Sequence, residues 1–391
     1  MIGSPRGFVV ATPGARVSSA GWAFWGGAGL LGVILMAAAA VYVTPALQAV
    51  NNGIGYQALA DNPFDFSRPL MLRSWDERER IQYRDMMRLR ILTPLVAHYL
   101  YFRGPAYIFF PLLVGVLFLA AVYIHARRQG FGGAEALGMA GLMAFTTPIL
   151  FHLHFQGYTD TTTYLLLFLT LVFAGRWWLW PIFFALAILN HHSSPFLAPL
   201  LLLSPRRRTH WLATVLLLGL SVVPFYLYHQ WARVHAGNLL DETLYLSRDH
   251  IRFTVNSVAQ YLPLGAFEAF KPAWAFPLIA IAYLLQTRRW RYALFLAAAI
   301  VLAMLQMLFV WDTSRHISLI AFVAVLFGAE VVREKWGAPR FVRTLWVLIG
   351  FNFLVPQYYI GQATAYPFYP LPVSLILRFV FGIDAWDLWW K

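Results

Sequence analysis

Long apolar runs alternate with short polar stretches along this chain, and most runs approach the roughly 20 residues a helix needs to cross a bilayer. The first spans about Gly21 to Val43. A long polar segment, roughly Pro45 to Arg90, follows it. Ile91–Phe102 is apolar but too short to cross, and suits a re-entrant or interfacial helix. Further runs lie near Pro105–His125, Ala134–Phe151, Thr162–Gly175, Trp177–Leu189, Pro195–Leu203 and Trp211–Gln230. After a second polar stretch, Trp231–Pro272, the runs resume at Ala273–Leu285, Tyr292–Val310, His316–Val332 and Phe341–Val355. The pattern predicts an all-α polytopic membrane protein with about eleven crossings, within a range of roughly nine to thirteen. No internal repeat of the kind that builds inverted transporter halves is visible.

Composition agrees with this pattern. Of 391 residues, 60% are hydrophobic and only 12% charged; a soluble domain carries about twice that charged fraction. The first 20 residues lack an apolar core, so they read as a cytoplasmic arm carrying Arg6 and Arg16 rather than a cleaved signal. The arrangement predicted is an arm at 1–20, a membrane domain at 21–356 with outer loops at 45–90 and 231–272, and an aromatic outer or interfacial tail at 357–391. The expected location is the inner (plasma) membrane.

Charge distinguishes the two faces. With the N-terminus inside, the inner face carries 15 Lys and Arg but 3 acids, whereas the outer face carries 15 and 14. Nine of the 11 His also fall on or near the outer face. A basic inner face is the usual orientation signal and suits anionic headgroups, so the net charge of +13 is not a nucleic-acid footprint. Orientation does not explain the carboxylates and imidazoles collected outside, which points to binding or chemistry there. The chain has no Cys, which excludes disulfides, thiolate metal sites and Cys nucleophiles.

Four outer-face clusters are candidates. In the first loop, Asp61 and Asp65 are candidate general bases for an acceptor hydroxyl, although DNPFD is also a turn sequence. Seven Arg in this loop run against the orientation bias. Arg84, Arg88 and Arg90 lead into the apolar segment and suit a phosphate, which guanidinium binds in a forked geometry. Arg73–Arg80 read instead as a solvated helix with i,i+3 pairs such as Glu77–Arg80. In HLHFQGYTDTTTY, Asp160 sits at the lip of an apolar run, where an acid is costly unless hydrated or paired. It suits a substrate-binding or helix-capping role, with metal ligation beside His152 and His154 a weaker reading. In NHHSS, His191 and His192 are candidate donors to a phosphate or sugar; a Ser193–His191–Asp160 triad lacks a nucleophile elbow. In WDTSRHIS, Asp312, Arg315 and His316 join two apolar runs, and Arg315 is placed to steady a leaving phosphate.

Taken in order, these segments resemble the GT-C superfamily, polytopic glycosyltransferases that use polyprenyl-phosphate-linked sugars, and more closely GT-C-like bacterial membrane proteins. The resemblance rests on Asn52-Gly53, Tyr56, Asn62-Pro63-Phe64, Arg90-Ile91-Leu92-Thr93-Pro94-Leu95, Thr159-Asp160 and Asp312-Thr313-Ser314-Arg315. Each motif is short, but together they cover most of the chain. Asn52 stands where the family pattern has Asp. Asn cannot act as a base, so the resemblance passes that role to Asp61 or Asp65, or implies altered activity. It implies a single displacement from a lipid-phosphate sugar, with Arg88, Arg90 and Arg315 on the phosphate. It implies no required cofactor; a divalent metal is compatible. Membrane lipids are the surroundings and no nucleic acid is a partner. The competing expectations are a lipid-linked-saccharide transporter or flippase, an O-antigen ligase or polymerase, and a non-catalytic assembly factor.

Overall fold

A computed structural model describes residues 21–43, 54–65, 86–206, 210–236, 248–310, 313–355, 357–361, 364–368 and 371–383. The described residues form a helical bundle with one two-stranded hairpin. Six helical stretches are long and apolar enough to cross a membrane: Phe24–Tyr42, Gly104–Arg128, Trp211–His235, Leu262–Gln286, Trp290–Leu308 and Thr313–Trp336. The pair α5 (Gly133–Ala144) and α6 (Thr147–His154), bent by 45°, makes a seventh if the two count as one span. The bend has a local cause. Pro148 has no N–H to continue the helical ladder, and Thr146 before it is extended. The protein is therefore multi-pass. Asp160–Val172, Trp180–Asn190 and Ser194–Leu203 are apolar but shorter.

The centre is α15, Thr313–Trp336, buried along its whole apolar window. A helix that is apolar all round is stable only when surrounded, and several helices pack on this one. They include α12 (Leu262–Phe270), α13 (Ala275–Gln286), α14 (Trp290–Leu305) and α6. Gly328 lets α13 come close: a Cβ there would stand 2.8 Å from the Pro277 Cα. On the other side, α4 (Phe109–Arg128) packs against α1 (Gly21–Tyr42), α5 and α7 (Asp160–Val172).

The two ends of the bundle are closed differently. At one end, Glu330 of α15 meets His125 at 2.8 Å and Arg206 at 2.9 Å, and the Arg206 guanidinium lies 4.3 Å from the Phe327 ring centroid. Arg333–Glu135 and Arg289–Glu334 lie nearby in sequence on the same helix end. At the other end, Lys271 donates to the Val355 carbonyl, the Tyr358 amide donates to Glu268, and Gln357 donates to Thr147. These bonds fasten the hairpin β1 (Gln357–Gly361) and β2 (Thr364–Phe368) to the bundle.

Two features differ from the sequence reading. The stretch 231–272 is not simply a loop. The helix α10 runs from Trp211 to Ala236, α11 covers Arg248–Ala259, and the apolar stretch read as starting at Ala273 begins at Leu262. The charges of this region interrupt its hydropathy without preventing helices. The tail contains the β-hairpin and a helix, α17 (Leu371–Phe381). The short segment after the first loop agrees with that reading: it is α3, Leu92–Tyr99, eight residues long and too short to cross.

Close packing at Gly328 is testable. Gly328→Leu should cost about 1–3 kcal/mol, the usual penalty for overpacking. Gly350→Ala, where a Cβ meets nothing within 4 Å, should leave stability unchanged or raised. Thermal unfolding of both variants in detergent would decide; equal melting points would contradict this packing.

Candidate functional site

Asp160 organises the site. It is the first residue of α7 and is 1% exposed. Its carboxylate does not cap the helix, since neither oxygen accepts a backbone amide among the described residues, and the N-cap Thr159 makes no side-chain cap bond either. It faces three groups from three other segments. Arg90 Nη1 lies 3.9 Å from Oδ1, His191 Nε2 lies 3.4 Å from Oδ1, and Arg315 Nε lies 3.4 Å from Oδ2. These are ion-pair distances rather than hydrogen bonds, and neither carboxylate oxygen accepts a hydrogen bond among the described residues. A buried carboxylate is tolerated only with such partners.

Each partner is held in turn. Arg90 follows the short helical turn Met86–Leu89 and donates to the Tyr56 hydroxyl at 3.1 Å. Arg315 begins the buried helix α15, and its guanidinium lies 5.2 Å from the Phe151 ring centroid and 5.0 Å from that of Tyr158. Such ring faces favour a cation without using its N–H edges. His191 lies just beyond α8 (Trp180–Asn190) and is fully buried. Its Nδ1 accepts the Ser193 amide at 3.1 Å. Burial pushes its pKa well below the ordinary value, and Arg90 adds to this. The ring is therefore neutral at neutral pH and carries its proton on Nε2, toward Asp160. His192 stacks on His191 with centroids 5.1 Å apart, and burial pushes its pKa down to about 3. His316 completes the wall: its ring centroid is 5.7 Å from that of His191, and its Nε2 is 3.4 Å from Arg315 Nη2.

The structure thus brings together Arg90, Asp160, His191, His192, Arg315 and His316. Other candidates stand elsewhere. Asp61 is exposed and accepts the Gly104 amide, holding the turn that opens Gly104–Arg128. Arg88 is buried, but its Nη1 donates to the Asp65 carbonyl at 2.8 Å, while its own carbonyl accepts the Tyr228 hydroxyl at 2.7 Å. It pins the first loop to α10. Arg84, Asp312, Asn52 and the Arg73–Arg80 stretch lie outside the described residues. The paper triad does not form as a hydrolase would need it. Asp160 faces His191 Nε2, and a backbone amide rather than the Ser193 hydroxyl occupies Nδ1. His152 is buried, and neither of its ring nitrogens is hydrogen-bonded among the described residues. No group of three or more His, Asp or Glu suited to a metal ion occurs among the described residues.

Sequence reading missed Asn190, Thr93 and the aromatic platform of Phe151 and Tyr158. A polar residue ending an apolar helix was the available signal for Asn190. Comparison with protein-family models, curated proteins and solved structures finds no match.

The pairing predicts a specific non-additivity. Asp160→Ala removes the carboxylate facing two buried guanidiniums and should cost about 3–5 kcal/mol. Adding Arg90→Met should recover part of that loss. Unfolding free energies that simply add would contradict the pairing.

Proposed function

We propose that this chain is a GT-C-type glycosyltransferase that moves a sugar from a polyprenyl-phosphate carrier to an acceptor hydroxyl on the extracytoplasmic face. In this reading the end of the bundle bearing Asp160 is that face, and the N-terminus is cytoplasmic. With the bent pair as one span, Asp160–Val172, Trp180–Asn190, Ser194–Leu203 and Ala338–Leu354 cross as well, bringing the crossings to eleven. The observation carrying the proposal is the convergence of Arg90 and Arg315, from distant parts of the chain, on the buried Asp160 beside a neutral histidine. Two oriented guanidiniums at the margin of apolar helices suit a phosphate attached to a lipid.

In the proposed reaction the acceptor oxygen attacks the anomeric carbon and loses its proton to a carboxylate. The bond between that carbon and the phosphate oxygen breaks, and the lipid phosphate departs with the electron pair. Arg90 and Arg315 stabilise the charge that grows on it. Asp160 holds both guanidiniums in place beforehand, so little reorganisation is needed as charge develops. We assign the proton acceptor to Asp65 rather than Asp61. The Asp61 carboxylate is engaged with the Gly104 amide, whereas Asp65 is tethered through Arg88 to the segment that carries Arg90. The mechanism requires no metal.

Purified protein in nanodiscs, given a panel of radiolabelled polyprenyl-phosphate sugars and candidate acceptors, tests the assignment. Asp65→Asn should lower transfer about 10²–10⁴-fold, the usual contribution of a positioned base, with Asp61→Asn much milder. Equal activity of Asp65→Asn and the native chain would remove Asp65 from the reaction. No transfer from any donor, with donors bound or not, would count against the enzyme.

A further inference from the structure

The segments that carry Arg90, Asp160 and His191 share a single buried hub. Asn190 ends α8 and is fully buried. Its Oδ1 accepts the Thr93 amide at 3.1 Å and also the Thr93 hydroxyl. Its Nδ2 donates to the Thr159 carbonyl at 2.8 Å and to the Thr163 hydroxyl at 2.7 Å. The Thr93 hydroxyl lies 2.7 Å from that of Thr162. A primary amide offers two acceptor lone pairs and two donors, and all four are used here. The orientation of the amide is fixed by its partners: Thr93 N–H can only donate, and the Thr159 carbonyl can only accept.

Each segment bonded to Asn190 delivers a charged or imidazole group to the site within three residues. Thr93 lies three residues after Arg90. Thr159 immediately precedes Asp160. Asn190 itself immediately precedes His191. Arg315 arrives by a separate route, because Tyr164 of α7 bonds Ser318 at 2.5 Å and the Arg315 carbonyl at 3.4 Å. The site therefore has two anchors, which meet on α7 at Thr163 and Tyr164. One sets three of its members relative to each other; the other sets Arg315.

We propose that Asn190 is the positioning residue of this site, fixing Arg90, Asp160 and His191 in one mutual geometry. Asn190 touches none of the three through its side chain in any described bond and acts through backbone and threonine partners. No other side chain of its length has two donors and two acceptors. Aspartate would set a carboxylate oxygen against the Thr159 carbonyl. Alanine would leave the Thr93 amide and the Thr159 carbonyl without their partner in a buried place, where an unmade bond costs more than a made one gains. The proposal deepens the site used in the reading above, but its test does not need a sugar donor.

The test is the histidine ring itself. Protein labelled with ¹⁵N-histidine in lipid nanodiscs, studied by solid-state NMR, reports which ring nitrogen holds the proton. The His191 signals are assigned by their loss in His191→Gln, and those of His125, in the Glu330 cluster at the other end, by their loss in His125→Gln. The native protein should show His191 with a protonated Nε2 and a bare Nδ1. In Asn190→Ala and in Thr93→Val this signature should shift or split while the His125 signals stay in place. The stability loss of the Asn190→Ala, Thr93→Val double should fall short of the sum of the singles, because both cut the same network. An unchanged His191 signature in folded Asn190→Ala would overturn the proposal. Joint movement of the His191 and His125 signals would do so too, since it would show general loosening. If no sugar donor is ever turned over, the glycosyltransferase reading falls, and the His191 result still decides the role of Asn190.

Discussion

A carboxylate inside an apolar bundle must find positive or hydrogen-bonding partners, and Asp160 obtains them from three other parts of the chain. Arg90 comes from the end of the first polar loop, His191 from a helix hairpin and Arg315 from the buried central helix. Attraction between such charges strengthens as the surroundings become less polar, while the cost of leaving one unpartnered also rises. The four groups at this end of the bundle therefore depend on one another: removing a partner leaves the buried acid short of the charge that offsets its burial. Phe151 and Tyr158 contribute by holding the Arg315 guanidinium against ring faces.

The central helix links two polar clusters of different kinds. At Arg315 the partners approach to 3.4–3.9 Å without hydrogen bonds to the carboxylate. At Glu330 the contacts are 2.8–2.9 Å and include hydrogen bonds from both His125 and Arg206. The second arrangement is a tight structural clasp. The first gathers one carboxylate, two guanidiniums and three imidazoles from separate segments at looser, ion-pair distances around Asp160. The contrast along one helix supports the proposal that the Asp160 end is the functional one.

Much of this was legible in the sequence because polar residues at the margins of apolar runs are conspicuous. Asp160, His191 and Arg315 were all found in this way, and Arg90 by its place just before an apolar segment. What the sequence did not disclose is who pairs with whom. Asp61 and Arg88 looked like chemical groups, yet each has a backbone partner: the Gly104 amide and the Asp65 carbonyl. Backbone partners leave no trace in residue identity. Asn190 shows the reverse failure. It read as the edge of a turn, and its importance comes from Thr93, Thr159 and Thr163, which only the fold brings to it. Hydropathy also set the helix limits poorly where charge and helix coexist, as in Arg248–Ala259, because it records solvent preference rather than backbone hydrogen bonding.

The most direct test of the central claim is a cryo-EM structure of the protein in nanodiscs with a polyprenyl-phosphate sugar bound. The account predicts the phosphate within hydrogen-bonding reach of both Arg90 and Arg315, with the lipid leaving along the apolar helices. Phosphate density at the opposite end among Arg206, Arg289 and Arg333, or none near Asp160 at saturating donor, would contradict it.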